Sequence, residues 1–207
     1  MKINTDSVSK QIYEMLKEEI LERHLLPGEK IGTREIAEKN HVSIMPVRDA
    51  LQQLASDGLV RNRERVGFFV RQFTSEEIVE IVEMRSMFEL YCLENHMDKV
   101  DLERMESLLG RLKEETSAKE LDQIDHEFHR AIVYASHNSL LINEYNNLYY
   151  LFSLGISSGE SSPYDLAREE HIAIIRAILE HDNERACRTL AQHLQRACSE
   201  IVELYQN

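Results

Sequence analysis

Two stretches of this chain hold residues able to bind a metal ion. In "LDQIDHEFHRAI", Asp125 and His129 stand four positions apart, which on a helix places both side chains on one face, one turn from each other. In "REEHIAIIRAILEHDNERACRTLAQHL", His171 lies ten residues before His181, and His193 lies ten after Asn183. If "HDN" is the break between two antiparallel helices, a rise of about 1.5 Å per residue puts both imidazoles about 15 Å from the turn, at one level and able to face each other. Three imidazoles and one carboxylate suit a divalent transition metal, zinc first, with nickel, manganese or cobalt as alternatives. The chain has nine histidines, so chance registers are common, and spacing alone leaves open that these are satisfied core or surface residues. His24, His41, His96, His126, His137 and His181 share no such register and read as structural. His126 adjoins the pair but projects about 100° away from Asp125.

Helices must carry that set, and from Thr74 onward the pattern is helical. There is no strand signal, and Pro163 is the only proline. A capped start at Thr74 or Ser75 leads into "EEIVEIVEMRSMFELYCLENHM", where Ile78, Ile81, Val82, Met84 and Phe88 recur at helical spacing. Further helices are expected at 101–116, 118–137, 139–156, 163–181 and 183–205, with breaks at "HMDKVD", "HNS", "SSGESS" and "HDN". Six helices make an all-α bundle.

Residues 9–72 read differently. Ile12, Leu16, Ile20 and Leu21 give a helix through "SKQIYEMLKEEILERHLL" that Pro27-Gly28 stops. Thr33 can cap a short helix with Ile36 and Ala37 inward. Ser43 can cap a third, running to about Ser56, with Val47, Leu51 and Leu54 on its apolar face and Asp57-Gly58 at its end. Two β-like runs, "LVRN" and "GFFVRQ", flank the charged turn "RERV". Three helices followed by a hairpin make a winged helix-turn-helix. Pro46 falls in the third helix's first turn, where a missing N–H costs nothing. It is followed by Arg48, and recognition helices set N-terminal residues against base edges, where arginine's fork matches guanine O6 and N7.

Charge divides the same way. Residues 1–72 hold twelve Lys+Arg against eleven Asp+Glu, a balance of +1, and residues 73–207 hold twelve against twenty-six, a balance of −14. The acidity that would argue against a nucleic-acid partner belongs to the second part alone, and two domains, 1–72 and 73–207, are expected.

"LLPGEKIGTREIAEKNHVSIMPVRDALQQLASDGLV" resembles the DNA-binding domain of the GntR family of bacterial transcription regulators, which shows PG, then LA on a helix, then VSRxPVREAL, then L..(D/E)GL(V/I). The resemblance implies DNA contacts from Arg34 and Arg48, with Gly67 at the wing tip; Ser43 of the motif and Arg63 and Arg65 of the basic wing complete the DNA-binding candidates. In one position the chain departs: Ile44 follows Ser43 where the family usually has arginine. An apolar side chain cannot hydrogen-bond a base or phosphate but can meet a thymine methyl.

The second part resembles the FCD effector domain of the FadR-type branch. Its D-x-x-F-H pattern is met by Asp125, Phe128 and His129, its E-H-x-x-I-x-x-A-I by Glu170, His171, Ile174, Ala177 and Ile178, and its A-x-x-x-x-x-x-H-L by Ala186, His193 and Leu194. The resemblance implies a metal held by Asp125, His129, His171 and His193 with a small carboxylate effector beside it. "VEMRSMFEL" likewise resembles that domain's "vRxxLE" segment, placing Arg85 as a carboxylate clamp, for which a planar fork is suited. A salt bridge to Glu89, one turn on, is the alternative for Arg85.

The expected protein is therefore an operator-binding repressor, homodimeric because two-fold dimers read palindromic double-stranded DNA. A purely structural metal with a different effector is the second reading. A metal-dependent hydrolase is the third, disfavoured because no HExxH, nucleophile elbow or phosphate-binding glycine loop is present. No apolar run approaches the roughly 20 residues of a membrane span, and "MKINTDSVSK" has no signal-peptide character. Cys92, Cys187 and Cys198 form no CxxC pair. A cytoplasmic protein with reduced thiols and no membrane partner is expected.

Overall fold

The computed structural model describes residues 7–114, 117–155 and 164–206. The chain divides into two compact units, one formed by the residues up to Phe73 together with the last turns of the seventh helix from Tyr150, the other by the rest.

In the first unit, α1 (Val8–Leu21) buries Ile12, Leu16 and Ile20 against α3 (Ile44–Ser56), whose buried side is Val47, Ala50, Leu51 and Leu54. Tyr13 donates to Asp57 Oδ2 at 2.7 Å and ties α1 to the end of α3. Helix α1 ends at Leu21, about five residues short of the expected stop, because Arg23 turns left-handed (φ 63°) and Leu25 N bonds back to Glu19 O. Gly28, at φ +82°, instead brings its N–H to Val70 O of the wing. Thr33 is the first residue of α2 (Thr33–Lys39) rather than its cap. The chain arrives there directly from β1 (Lys30–Ile31), a strand too short to leave a sequence signal, and Gly32 makes the turn. Strands β2 (Val60–Arg63) and β3 (Gly67–Val70) pair antiparallel, with β1 on the other edge of β3 in the order β1-β3-β2. Arg63 pairs with Gly67, so the wing tip is Glu64-Arg65-Val66, with Arg65 left-handed (φ 61°) and Gly67 opening β3 at φ +125°.

After the first unit the described residues form six helices, α4 (Ser75–His96), α5 (Leu102–Glu114), α6 (Ala118–Tyr134), α7 (Ser139–Gly155), α8 (Tyr164–Leu179) and α9 (Asn183–Gln206), with a 3-10 turn at Met97–Lys99; all but the end of α7 from Tyr150 belong to the second unit. Residues 115, 116, 156 and 163, where helix ends are expected, lie outside the described residues. Helix α4 packs on α6 and α9, and α8 on α9, α5 and α6. Their core is built on Leu93, Met105, Leu108, Phe128, Ile175 and Leu190. Helices α6 and α8 stop two to three residues early because His137 and His181 take left-handed conformations (φ 50° and 56°), as His41 does after α2 (φ 53°). Histidine tolerates that region better than most side chains. At His181 the following N–H, of Asp182, reaches back to Ala177 O at 2.9 Å and closes the helix end. Three of the histidines read as structural thus terminate helices.

The other two caps named from sequence differ. Thr74 completes a capping box with Glu77: its Oγ1 accepts from Glu77 N at 3.3 Å, and Glu77 Oε2 accepts from Thr74 N at 3.0 Å. Ser43 occupies the N-cap position of α3, but its hydroxyl makes no capping bond. Thr74→Ala is therefore expected to cost about 1 kcal/mol in urea denaturation, while Ser43→Ala changes stability by less than about 0.5 kcal/mol.

Candidate functional site

The antiparallel pair α8–α9 brings His171 and His193 face to face, with 3.1 Å between their Nε2 atoms. That separation is compatible with both nitrogens bonding one ion at about 2.0–2.1 Å. Asp125 Oδ1, on α6, lies 3.7 Å from Nε2 of His129 on the same helix and 3.5 Å from Nε2 of His171 on α8. One donor atom from each of the four residues falls within 4.8 Å of every other. All three imidazoles are buried, whereas the Asp125 side chain keeps 35% of its exposure. The cluster is closed behind the histidines and open on the aspartate side.

Sequence reasoning missed what holds the rings. Glu89, on α4, has no exposed surface. Its Oε2 lies 2.6 Å from His129 Nδ1, and its Oε1 accepts from Tyr145 OH at 2.6 Å and from Arg85 Nε at 3.1 Å. On the other side Glu170 Oε2 lies 2.7 Å from His193 Nδ1, while Arg196 grips both its oxygens at 2.6 Å. A carboxylate only accepts, so each Nδ1 carries an N–H, and the neutral form of each ring presents its Nε2 lone pair to the cluster. The signal was present in the sequence, since Glu89 is one helical turn from Arg85 and Glu170 precedes His171. Nothing in sequence showed that these carboxylates face imidazoles.

Charge in the cluster favours a cation. Burial raises the Glu89 carboxyl, but the His129 and Arg85 charges outweigh it and hold it at about 2. Asp125 is likewise held well below the carboxylate range, desolvation being outweighed by His129, His171 and Arg85. Burial alone would lower His129, yet Glu89 and Asp125 raise its affinity for a proton, and the field that attracts a proton there attracts a divalent cation too. Burial lowers His171 and His193, which keeps both neutral, the form that binds metals. The donor set thus fits a divalent transition metal.

Arg85 forms the ion pair with Glu89 that was the alternative to a carboxylate clamp, and it is buried with it. His126 turns away from the cluster as the helical angle requires. It stacks on Tyr149, with ring centroids 3.6 Å apart, and its Nε2 accepts from Arg130 at 3.3 Å. Burial and the Arg130 charge push it down to about 4.

In the first unit, Arg34, Ser43, Arg48, Arg63 and Arg65 are all exposed. The Arg63 guanidinium stacks over Phe69 at 4.4 Å, which braces one arginine of the wing.

Residues 8–70 match the profile of the bacterial regulatory proteins of the gntR family, and residues 80–196 match that of the FCD domain. The chain belongs to the GntR family. This GntR protein is 27% identical over 206 residues to the uncharacterized HTH-type transcriptional regulator YdhC of Bacillus subtilis, covering 95% of this chain and 92% of that protein. It is 24% identical over 210 residues to the HTH-type transcriptional repressor RspR of Escherichia coli, covering 98% and 92%. Among solved structures it shares the fold of E. coli McbR/YncC, with a TM-score of 0.79 at 23% identity over 97% of this chain and 100% of that one. An FCD domain solved in Zn2+-bound form is 27% identical, with a TM-score of 0.59, over 65% of this chain and 99% of that domain. The GntR protein is a DNA-binding regulator of transcription and not an enzyme, with a winged helix-turn-helix and an FCD bundle. No helix among the described residues is long and apolar enough to cross a membrane.

With Asp125, His129, His171 and His193 as the ligands, His171→Ala and His193→Ala are each expected to reduce bound zinc from one per chain to none. Elemental analysis after equilibrium dialysis checks this, and retention of one zinc per chain by either variant places the metal elsewhere.

Proposed function

We propose that this protein is a homodimeric cytoplasmic repressor whose grip on a palindromic DNA operator is set by a small carboxylate bound at a divalent metal in the FCD bundle. Asp125, His129, His171 and His193 hold the metal, zinc first. Arg34, Ser43, Arg48, Arg63, Arg65 and Gly67, where β3 leaves the wing tip, meet the operator. The observation that carries the reading is the convergence of four donor atoms within 4.8 Å, open on the Asp125 side, in a chain that also bears a winged helix.

An anion is the ligand that the charges favour. Glu89 is paired with Arg85, and Glu170 with Arg196, so Asp125 is the one ligand-side charge those pairs leave over. A bound divalent ion supplies Lewis acidity and turns that local balance to about +1, which favours a carboxylate inside a domain that otherwise repels one. Arg85, with its Nε engaged by Glu89, contributes positive charge close enough to lower Asp125. A metal that is purely structural is the competing reading, since four protein ligands fill a tetrahedral zinc; a five- or six-coordinate ion would leave one or two positions for a carboxylate, reached past the Asp125 side chain, which is 35% exposed.

Gel-shift titration against duplexes from the promoter beside the protein's own gene is expected to show sequence-specific, salt-sensitive binding, with Arg48→Ala losing about 1–3 kcal/mol of it. A thermal-shift screen of organic acids on zinc-loaded protein should find a ligand that changes the gel shift. Equal affinity for random DNA overturns the operator reading. An effector that binds metal-free protein at full affinity overturns the role given to the metal.

A further inference from the structure

We propose that Glu89 and Glu170 are positioning residues of the metal centre, each fixing one histidine in the tautomer that can bind the ion. This inference rests on the reading of Asp125, His129, His171 and His193 as metal ligands. The two carboxylates reach the rings from different helices, Glu89 from α4 to His129 on α6 and Glu170 from α8 to His193 on α9. Each is held in turn by a cation of its own, Arg85 at 3.1 Å and Arg196 at 2.6 Å. An imidazole whose Nδ1–H is tied to a carboxylate cannot rotate or exchange the proton to Nε2, and its Nε2 becomes a better donor to a metal. Arg85 acts on the centre through Glu89.

The test uses full-length protein with Zn2+ and Co2+ as probes. Glu89→Gln and Glu170→Gln are each expected to weaken Zn2+ binding about 10–100-fold in competition with a chromogenic chelator, and to shift the visible absorption of the Co2+-loaded protein. Glu200→Gln is the control, since Glu200 pairs with Arg196 Nη1 at 2.5 Å and, among the described residues, forms no ion pair with a histidine. It removes a charge of the same sign from the same network and is expected to leave Zn2+ affinity within twofold. Should Glu89→Gln fail to fold, Glu170→Gln decides the matter alone, its urea midpoint without metal matching wild type. Wild-type affinity in Glu170→Gln, or an equal loss in Glu200→Gln, overturns the proposal. If wild-type protein takes up no Zn2+, the ligand reading itself has failed.

A separate observation concerns the first unit. Ile44 and Met45 are the first two residues of α3 and stand 43% and 63% exposed. Exposed Arg48 lies one turn on, and exposed Arg61, Arg63 and Arg65 on the wing, against Asp49 and Glu64. Two adjacent apolar side chains among cations gain by burial against an anionic surface that carries methyl groups. We infer that Ile44 and Met45 read thymine C5-methyl groups in the major groove, so that the operator half-site carries thymine where they dock. Selection of bound duplexes from a randomised pool by full-length protein should recover fixed thymines. Replacing such a thymine by uracil, which lacks only the methyl, is expected to weaken wild-type binding about fourfold, and to have no effect on the Ile44→Ala/Met45→Ala variant. Uracil binding as well as thymine, or an unchanged uracil penalty in the variant, overturns this inference. Failure to recover any sequence overturns operator binding instead.

Discussion

The FCD bundle is arranged around one buried carboxylate. Glu89 is removed entirely from water, at a desolvation cost of several kcal/mol that only near-complete pairing offsets. Its partners come from three helices: Arg85 from its own turn of α4, His129 from α6 and Tyr145 from α7. Loss of Arg85 would leave the charge in the core unpaired, which typically costs about 3–5 kcal/mol, and loss of the Tyr145 hydroxyl would remove a hydrogen bond to that charge, about 1.5–3 kcal/mol. The register of α4, α6 and α7 around that carboxylate is therefore tightly constrained, and Asp125, one turn from His129 on α6, is carried along with it.

A second carboxylate does the same at the other edge. Glu170 and Arg196 join α8 to α9 through a bidentate pair, and His193 is tied to it. The donor atoms are thus presented by helices that the two carboxylates tie together, Glu89 through His129 and Tyr145 and Glu170 through Arg196 and His193, not by loops, which is the arrangement a preorganised site needs. Both pairs are internally neutral, so Asp125 gives the cluster its net charge and its access to solvent.

The DNA-binding unit depends on apolar packing instead. Leu16 and Ile20 of α1 and Leu51 and Leu54 of α3 are fully buried, which leaves α3 free to expose its first residues. Pro46 in the first turn and a Ser43 hydroxyl without a capping bond show that the start of this helix is set by backbone geometry and core contacts.

Much of this was legible before any coordinates. Helical periodicity, Pro46, the hairpin and the motif residues determined the winged helix and the bundle, because local patterns and caps act over a few residues. Equal spacing about the 181–183 turn placed His171 opposite His193, because an antiparallel pair converts sequence distance directly into height. Strand β1 and the left-handed ends at Arg23, His137 and His181 were not legible, since two residues carry no period and φ depends on what the following chain must reach. Tertiary structure alone decided that Arg85 pairs with Glu89, that Glu89 and Glu170 face imidazoles, and that Asp125 is the open side of the cluster. Sequence spacing states which residues share a helix face. Which faces meet, and so which charges must share one desolvated space, is settled only when the helices pack.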